Sequence, residues 1–143
     1  MAEAFYPMPL FVKLFVRDVA RSAEWYAAAL GFRSVYAMPG TDGRQVMNHI
    51  RLDRYQDLML LAGPADGDNP VTRSFVINLT FPGDMQALAE RARATGAKVE
   101  GPAPTRWNTL EMTITDPDGF VLTFSQVLDA SRPFSDVMPP SAT

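Results

Sequence analysis

The side chains in this sequence best suited to acid–base or charge chemistry are His49, Arg51, Glu111 and Lys13. His49 and Arg51 lie two residues apart in an alternating segment, 46–53, so they share one face of a predicted strand. Histidine titrates near neutral pH, and a suitable partner would make it part of an acid–base pair, for which we consider Glu111 or Lys13. A histidine on a half-exposed strand also commonly makes only a local hydrogen bond. The residues leave both interpretations open.

Composition narrows the class of protein that could carry such a site. At 143 residues the chain is long enough for one domain to bury a core without disulfides. The absence of cysteine excludes thiolate metal sites, cysteine nucleophiles and a disulfide framework. A net charge of −3 with scattered Lys and Arg offers no basic stripe for nucleic acid. The sequence shows neither an apolar run of about 20 residues nor a signal-peptide pattern. We therefore expect a cytoplasmic protein without nucleic-acid or membrane partners.

The elements that would position these side chains occur twice. An alternating strand leads to an aspartate, an amphipathic helix and a glycine, and the same order returns 65 residues later, from Phe11 to Val76 and from Gly31 to Gly96. Asp18 and Asp84 precede the two helices and are predicted N-caps. Gly31 is predicted to end the first helix in the left-handed conformation. The repeat predicts two similar halves.

Each half is predicted to have the element order β-α-β-β-β. Module one covers 8–62, a Pro- and Gly-rich linker 63–73, and module two 74–126, all within one domain, 1–128, followed by a C-terminal extension, 129–143. The predicted strands are 10–16, 32–38, 46–53, 58–62, 75–81, 98–100, 110–115 and 120–125. Pro102 to Pro104 is expected to end the sixth strand. Phe134 and Met138 are predicted docking points of the extension.

Five short motifs, three in the first half and two in the second, carry a resemblance to a known family. They are Val16-Arg-Asp-Val19, Trp25-Tyr26, Leu30-Gly-Phe32, Ala94-Thr-Gly96 and Asp116-Pro-Asp-Gly-Phe120. In this order and at these separations, the chain resembles the vicinal oxygen chelate superfamily, which includes glyoxalase I, extradiol dioxygenases, fosfomycin-resistance enzymes and bleomycin-resistance proteins. The resemblance implies an α+β fold of two tandem β-α-β-β-β modules whose curled mixed sheets surround a groove. Function does not follow from this fold alone.

The resemblance also indicates where a metal would bind. Metal-dependent members carry one ligand on the first strand and one on the last strand of each half, which here correspond to Phe11, Met59, Val76 and Thr123. None of these side chains is an imidazole or a carboxylate, the donors that a divalent cation needs at such a site. With a single histidine in the chain, a shifted alignment restores no two-histidine site. We therefore expect no metal and no other cofactor.

Alternation sorts the strand residues of both halves into two faces. Val12, Leu14, Val16, Ile77, Leu79 and Phe81 should face the helices, whereas their neighbours, Thr80 among them, should face the groove. The groove set mixes aromatic, Met and polar side chains, as a small-molecule pocket does. The predicted ligand-binding residues are Phe11, Lys13, Phe15, Tyr36, Met38, Met47, His49, Arg51, Met59, Val76, Asn78, Trp107, Glu111 and Thr123.

The sequence is compatible with three functions. The first is a metal-free binding protein, similar to bleomycin-resistance proteins, that sequesters a bulky, partly aromatic molecule such as an antibiotic. The second is a metal-independent lyase, isomerase or hydrolase that uses His49 with Glu111 or Lys13. The third is an interaction domain whose partner surface includes Trp107 and the extension. The resemblance further implies a homodimer, which would cover exposed sheet edges.

Overall fold

The structure is a computed structural model that describes residues 6–63, 72, 75–138 and 140. Its backbone contacts divide the chain into two compact units between residues 70 and 71. Each unit has the predicted order β-α-β-β-β, so the predicted α+β fold is confirmed. The predicted linker, 63–73, lies almost entirely outside the described residues. The assignment of both halves to one domain, 1–128, stays a prediction.

The first unit contains four strands and one helical segment. They are β1 (Val12–Val16), α1 (Val19–Trp25) with a π-helical continuation (Tyr26–Leu30), β2 (Arg33–Pro39), β3 (Gln45–Arg51) and β4 (Asp57–Ala62). These strands form sheet 1 in the order β1-β4-β3-β2. The β1–β4 pair is parallel, and the other two pairs are antiparallel.

The second unit repeats this arrangement. It consists of β5 (Val76–Thr80), α2 (Met85–Ala94), β6 (Lys98–Pro104), β7 (Thr109–Thr115) and β8 (Val121–Val127), followed by the short α3 (Phe134–Val137). Sheet 2 has the order β5-β8-β7-β6, with a parallel β5–β8 pair and two antiparallel pairs. Strand pairing in the two units is therefore the same.

Capping residues set the helix boundaries as the sequence predicts. The Asp18 carboxylate accepts a hydrogen bond from the backbone N–H of Arg21 at 3.1 Å, and Asp84 accepts one from Ala87 at 3.0 Å. Each bond satisfies a donor that has no partner inside its helix. Gly31 ends the first helical segment with φ 83, a conformation that is costly for residues with a Cβ.

One face of each sheet is buried beneath its helix. Helix α1 packs on β3 and β4, and α2 packs on β6 and β7. Leu14, Leu60 and Leu122 are fully buried, whereas Phe15 on the opposite face is 60% exposed. The predicted alternation of β1 and β5 is confirmed, because their burial changes with every residue from 13 to 16 and from 76 to 80. Burial of the helix-facing apolar side chains stabilises each unit.

Two sequence predictions are wrong about element ends. Strand β6 continues through Pro102 to Pro104 instead of ending near Glu100, with a register shift between Glu100 and Ala103. Proline is tolerated there because β6 lies at the edge of sheet 2, where one side of the strand needs no donor. Strand β8 also reaches Val127, two residues beyond its predicted end.

The start of the C-terminal extension is held by a loop residue rather than by its apolar side chains. The Asn108 side chain donates to the backbone oxygen of Asp129 at 2.7 Å and accepts from its backbone N–H at 3.1 Å. Phe134 is 77% exposed and Met138 is 36% exposed. Phe134 is thus largely exposed on its own chain, and the docking role of the two side chains stays a prediction.

Candidate functional site

The candidate site in the first unit is the face of sheet 1 opposite α1, which we call open face 1. Strand register places its side chains in rows across the sheet, because paired residues point to the same side. One row is Lys13, Met59, His49 and Tyr36, and the next is Phe15, Leu61, Met47 and Met38. Seven of these eight residues were assigned to this face from sequence; Leu61 was not.

Open face 1 exposes large apolar side chains. Phe15 is 60% exposed, Tyr36 52% and Met38 42%, while Met47 and Met59 are partly buried beside them. Single exposed apolar residues are ordinary, but a row of aromatic and Met side chains on one sheet face forms a patch. Such a patch gains free energy when another apolar surface covers it.

A buried carboxylate organises the polar end of open face 1. Asp57 Oδ1 lies 2.7 Å from His49 Nε2 and 2.6 Å from Arg51 Nε, and Asp57 Oδ2 accepts a hydrogen bond from the Tyr6 hydroxyl at 2.6 Å. The Tyr6 ring also lies 4.3 Å from the Arg51 guanidinium. The Tyr6 oxygen accepts a further bond from the backbone N–H of Tyr55 at 2.8 Å. We call Tyr6, His49, Arg51 and Asp57 the Asp57 network.

Opposing effects set the ionisation of this network. Burial is the largest influence on the Asp57 pKa and raises it. Hydrogen bonds from Tyr6, Arg51 and His49 oppose burial, the Arg51 charge adds to them, and the pKa lies below its ordinary value of 3.8. Burial and the bond to Asp57 raise the pKa of Tyr6. Asp57 is therefore an anion and Tyr6 a neutral donor at neutral pH.

The structure gives two predicted polar residues different surroundings from those expected. Arg51 is only 4% exposed and is engaged by Asp57 and Tyr6, so its guanidinium is held inside the first unit. His49 bonds to Asp57, whereas Lys13 lies two strands away, about 10 Å across the sheet. Sequence reasoning missed Asp57 because it placed the strand start at Leu58. The available signal was an acidic residue immediately after a polar turn.

The corresponding surface of the second unit, open face 2, is more polar. Its rows contain Asn78 with Thr123 and Thr113, and then Thr80 with Ser125 and Glu111. Thr113 and Thr123 hydroxyls lie 3.2 Å apart. Val76, at the start of β5, is 55% exposed on this face. Of the predicted site residues, open face 2 brings together Val76, Asn78, Glu111 and Thr123.

Trp107 is tied to open face 2 by Glu111. The indole Nε1–H donates to Glu111 Oε2 at 2.7 Å, and the Thr109 hydroxyl donates to the same oxygen at 2.6 Å. Trp107 remains 44% exposed. Glu111 thus positions an exposed indole, and its partners in the structure are Trp107 and Thr109 rather than a histidine.

A cleft of about 670 Å³ lies elsewhere in the first unit, at the end of sheet 1 where β1 and β4 finish. Residues following β1, the turn between β2 and β3, and the last residues of β4 line it. None of the predicted site residues does so. Its lining combines the charged residues Arg17, Asp18, Asp42 and Arg44 with small aliphatic ones and contains no aromatic or Met side chain. We therefore retain the open faces as the candidate site.

Comparison with known proteins identifies the family. Residues 9–124 match the sequence model of the family described as the Glyoxalase/Bleomycin resistance protein/Dioxygenase superfamily. The chain belongs to this superfamily. No curated protein gave a significant match to the sequence. Among the described residues, no helix is long and apolar enough to span a membrane.

Solved structures of the same kind are similar over nearly their whole length. TioX from Micromonospora sp. ML1 has a TM-score of 0.67 at 18% identity, covering 83% of this chain and 98% of its own. A glyoxalase/bleomycin resistance protein from Streptomyces sp. CB03234 has a TM-score of 0.59 at 25% identity, covering 81% and 97%. TnmS3 from the same organism, described as an antibiotic binding protein, has a TM-score of 0.61 at 24% identity, covering 89% and 98%.

The residues at the superfamily's metal-ligand positions do not fit a metal. Met59 pairs with Lys13, two residues after Phe11, and Thr123 pairs with Asn78, two residues after Val76. The four positions are therefore related in the same way in the two halves. The four side chains at these positions therefore end in a phenyl ring, a thioether, an isopropyl group and a hydroxyl. None of these groups is suited to a divalent cation. Within the described part of the chain, no three His, Asp or Glu side chains cluster closely enough to hold a metal ion.

Proposed function

We propose that this protein binds a bulky, partly aromatic organic molecule, such as an antibiotic, without a metal, and acts by sequestering it. One observation carries the proposal. On open face 1, apolar side chains occupy positions that carry metal ligands in metal-dependent members of the superfamily, and exposed aromatic and Met residues lie beside them. A binding protein needs apolar area, shape and a few polar anchors, and no reacting group.

The exposed side chains of open face 1 are of the right size to supply this affinity. Covering a large apolar side chain is worth about 1.5–3 kcal/mol, and offset or edge-to-face aromatic contact adds about 0.5–1.5 kcal/mol. Covering Phe15, Tyr36 and Met38 together therefore contributes several kcal/mol, which offsets part or all of the entropic cost of association. Met side chains adapt to irregular ligands.

Similarity to TnmS3 supports a ligand of this class. That protein is described as antibiotic binding and shares the fold over 89% of this chain. At 24% identity, this similarity supports the shared fold only. The ligand class proposed for this chain therefore rests on the exposed aromatic and Met side chains of open face 1.

A second function, a metal-independent lyase, isomerase or hydrolase, is favoured by one contact. His49 is held by the Asp57 carboxylate at 2.7 Å, an arrangement that orients an imidazole for proton transfer. This pairing replaces the acid–base pairs with Glu111 or Lys13 considered from the sequence. Binding and turnover use the same surface, so they are separated by the fate of the ligand.

The decisive experiment combines ligand recovery with titration. Native mass spectrometry of gently purified protein identifies a co-purifying organic molecule, and anilinonaphthalene sulfonate serves as an aromatic probe for calorimetric titration. Phe15→Ala, Tyr36→Ala and Trp107→Ala should each weaken binding by about 1–3 kcal/mol. Phe134→Ala is the matched control, because this 77% exposed ring lies on α3 and outside both open faces.

Three results decide between the functions. Ligand recovered unchanged after long incubation, with affinity following the open-face aromatics and unaffected by a chelator, supports metal-free sequestration. Converted ligand, with a rate that falls about 10²–10⁴-fold in His49→Ala at little cost in affinity, supports the enzyme instead. Probe binding that is equal in all variants and control contradicts both and leaves the interaction domain.

A further inference from the structure

The ring of His49 has two nitrogens in different situations. Nε2 lies 2.7 Å from Asp57 Oδ1, whereas Nδ1 has no hydrogen-bond partner among the described residues. The side chain of His49 is 13% exposed and that of Asp57 only 1% exposed. The hydrogen bond at Nε2 therefore holds the buried end of the imidazole, and the Nδ1 end lies at open face 1.

The chemistry of Asp57 decides which nitrogen carries the proton. An ionised carboxylate can only accept hydrogen bonds, and the Arg51 guanidinium keeps this carboxylate ionised at 2.6 Å. His49 Nε2 must then be the donor. In the neutral imidazole this leaves Nδ1 as an acceptor with a free lone pair, pointing away from Asp57.

The surroundings of Nδ1 select the kind of donor that would reach it. Within sheet 1, His49 on β3 lies between Met59 on β4 and Tyr36 on β2. The charged groups facing it are Asp57, already bonded, and Lys13, separated from it by Met59. A cationic ligand would approach the exposed positive side chain of Lys13. A neutral hydroxyl attached to an aromatic ring meets an acceptor and an apolar surface together.

We propose that His49 Nδ1 accepts a hydrogen bond from a phenolic or enolic hydroxyl of the aromatic ligand, so that the protein recognises hydroxylated arenes. This inference rests on the proposed binding function and specifies its ligand class. His49 acts here as a recognition residue, and Asp57 positions it by fixing its tautomer. The ring bearing the hydroxyl lies against Tyr36 and the neighbouring Met side chains.

Matched small probes test the hydroxyl directly. β-Naphthol, its methyl ether and naphthalene share one ring system, but only the naphthol donates a hydrogen bond. We expect calorimetry near neutral pH to show the naphthol binding about 3–10-fold more tightly than the ether, the range of one hydrogen bond. In His49→Phe, whose ring keeps an aromatic surface but has no hydrogen-bond acceptor, the two affinities should become equal. Glu100→Gln, a carboxylate change on exposed β6, should retain the difference.

Nitrogen-15 NMR of the wild type provides a test that needs no variant. The chain contains one histidine, so the imidazole signals need no assignment by mutation. We expect a protonated Nε2 and a bare Nδ1 in the free protein, and an upfield shift of Nδ1 with β-naphthol but not with its methyl ether. A bare Nε2, or identical shifts with both probes, would overturn the inference even if His49→Phe failed to fold.

The outcomes separate this inference from the function on which it rests. Equal affinity of the wild type for naphthol and ether, or a preference that persists in His49→Phe, overturns hydroxyl recognition and leaves aromatic binding in place. Binding of none of the three probes overturns the proposed function and the inference together.

Discussion

At the scale of single residues, the Asp57 network has the largest structural consequence. One buried carboxylate accepts hydrogen bonds from Tyr6 before β1 and from His49 and Arg51 on β3. It ties the chain before β1 to strands β3 and β4. The network therefore stabilises the end of open face 1 and sets the orientation of His49.

Replacing Asp57 by Asn should destabilise the first unit strongly. The substitution removes the carboxylate charge that pairs with the buried Arg51 guanidinium, and breaking one side of a buried ion pair typically costs about 3–5 kcal/mol. Chemical denaturation followed by circular dichroism measures the loss. Asp53→Asn, in the exposed turn before β4, is the control and should change stability little. Equal stability of both variants would show that the network contributes nothing.

The same carboxylate predicts acid sensitivity. Because the pKa of Asp57 is lower in the folded protein than its ordinary 3.8, the unfolded chain binds the proton first as pH falls. The stabilisation is present above pH 3.8 and is lost progressively below it. Wild-type stability should therefore fall across this window more steeply than that of Asp57→Asn, in a paired set of denaturation curves.

Sequence reasoning could find His49 but not its partner. Alternation alone placed His49 and Arg51 on one face. The partner depends on strand register and on Tyr6, which lies 51 residues before Asp57 in the chain. A single sequence contains no signal for that contact, and for the same reason it did not reveal that Arg51 is buried.

At the scale of elements, the two N-caps offer a matched test of the internal repeat. Asp18 and Asp84 each accept a bond from the backbone N–H three residues later, at 3.1 and 3.0 Å. Alanine at either position should cost about 1 kcal/mol. Asparagine should recover most of it, because its side-chain oxygen also caps, losing only the charge–dipole contribution.

Thermal and denaturant unfolding of the four variants checks this. Similar losses in Asp18→Ala and Asp84→Ala, with recovery in both Asn variants, would confirm equivalent roles. A loss that asparagine does not recover would instead point to the charge rather than the cap.

Boundaries at Asp18, Asp84 and Gly31 were predictable because capping and positive φ are local, whereas the continuation of β6 through Pro102 depends on its edge position in the sheet.

At the scale of the whole molecule, the repeated pattern explains why the fold was predictable and the ligand was not. The same alternation, cap and glycine occur in both halves, and both units adopt one strand order. Open faces 1 and 2 nevertheless differ, the first with exposed Phe15 and Met38 and the second with Thr113 and Thr123. Ligand choice therefore rests on side chains that the fold leaves free to vary.

Exposed apolar surface and open sheet edges together predict a homodimer. Strands β1 and β2 lie at the edges of sheet 1, and β5 and β6 at the edges of sheet 2. Large apolar residues on both units are also exposed, including Phe15, Val76 and Val127. A two-fold dimer would cover such surface by presenting one patch to its copy. Light scattering at micromolar concentration should give twice the 15.8 kDa chain mass. A monomer mass throughout that range would contradict the dimer, and the edges must then be protected within one chain. If instead dimerisation strengthens when β-naphthol is added, the ligand contacts both copies, because only binding that favours the associated state can shift that equilibrium.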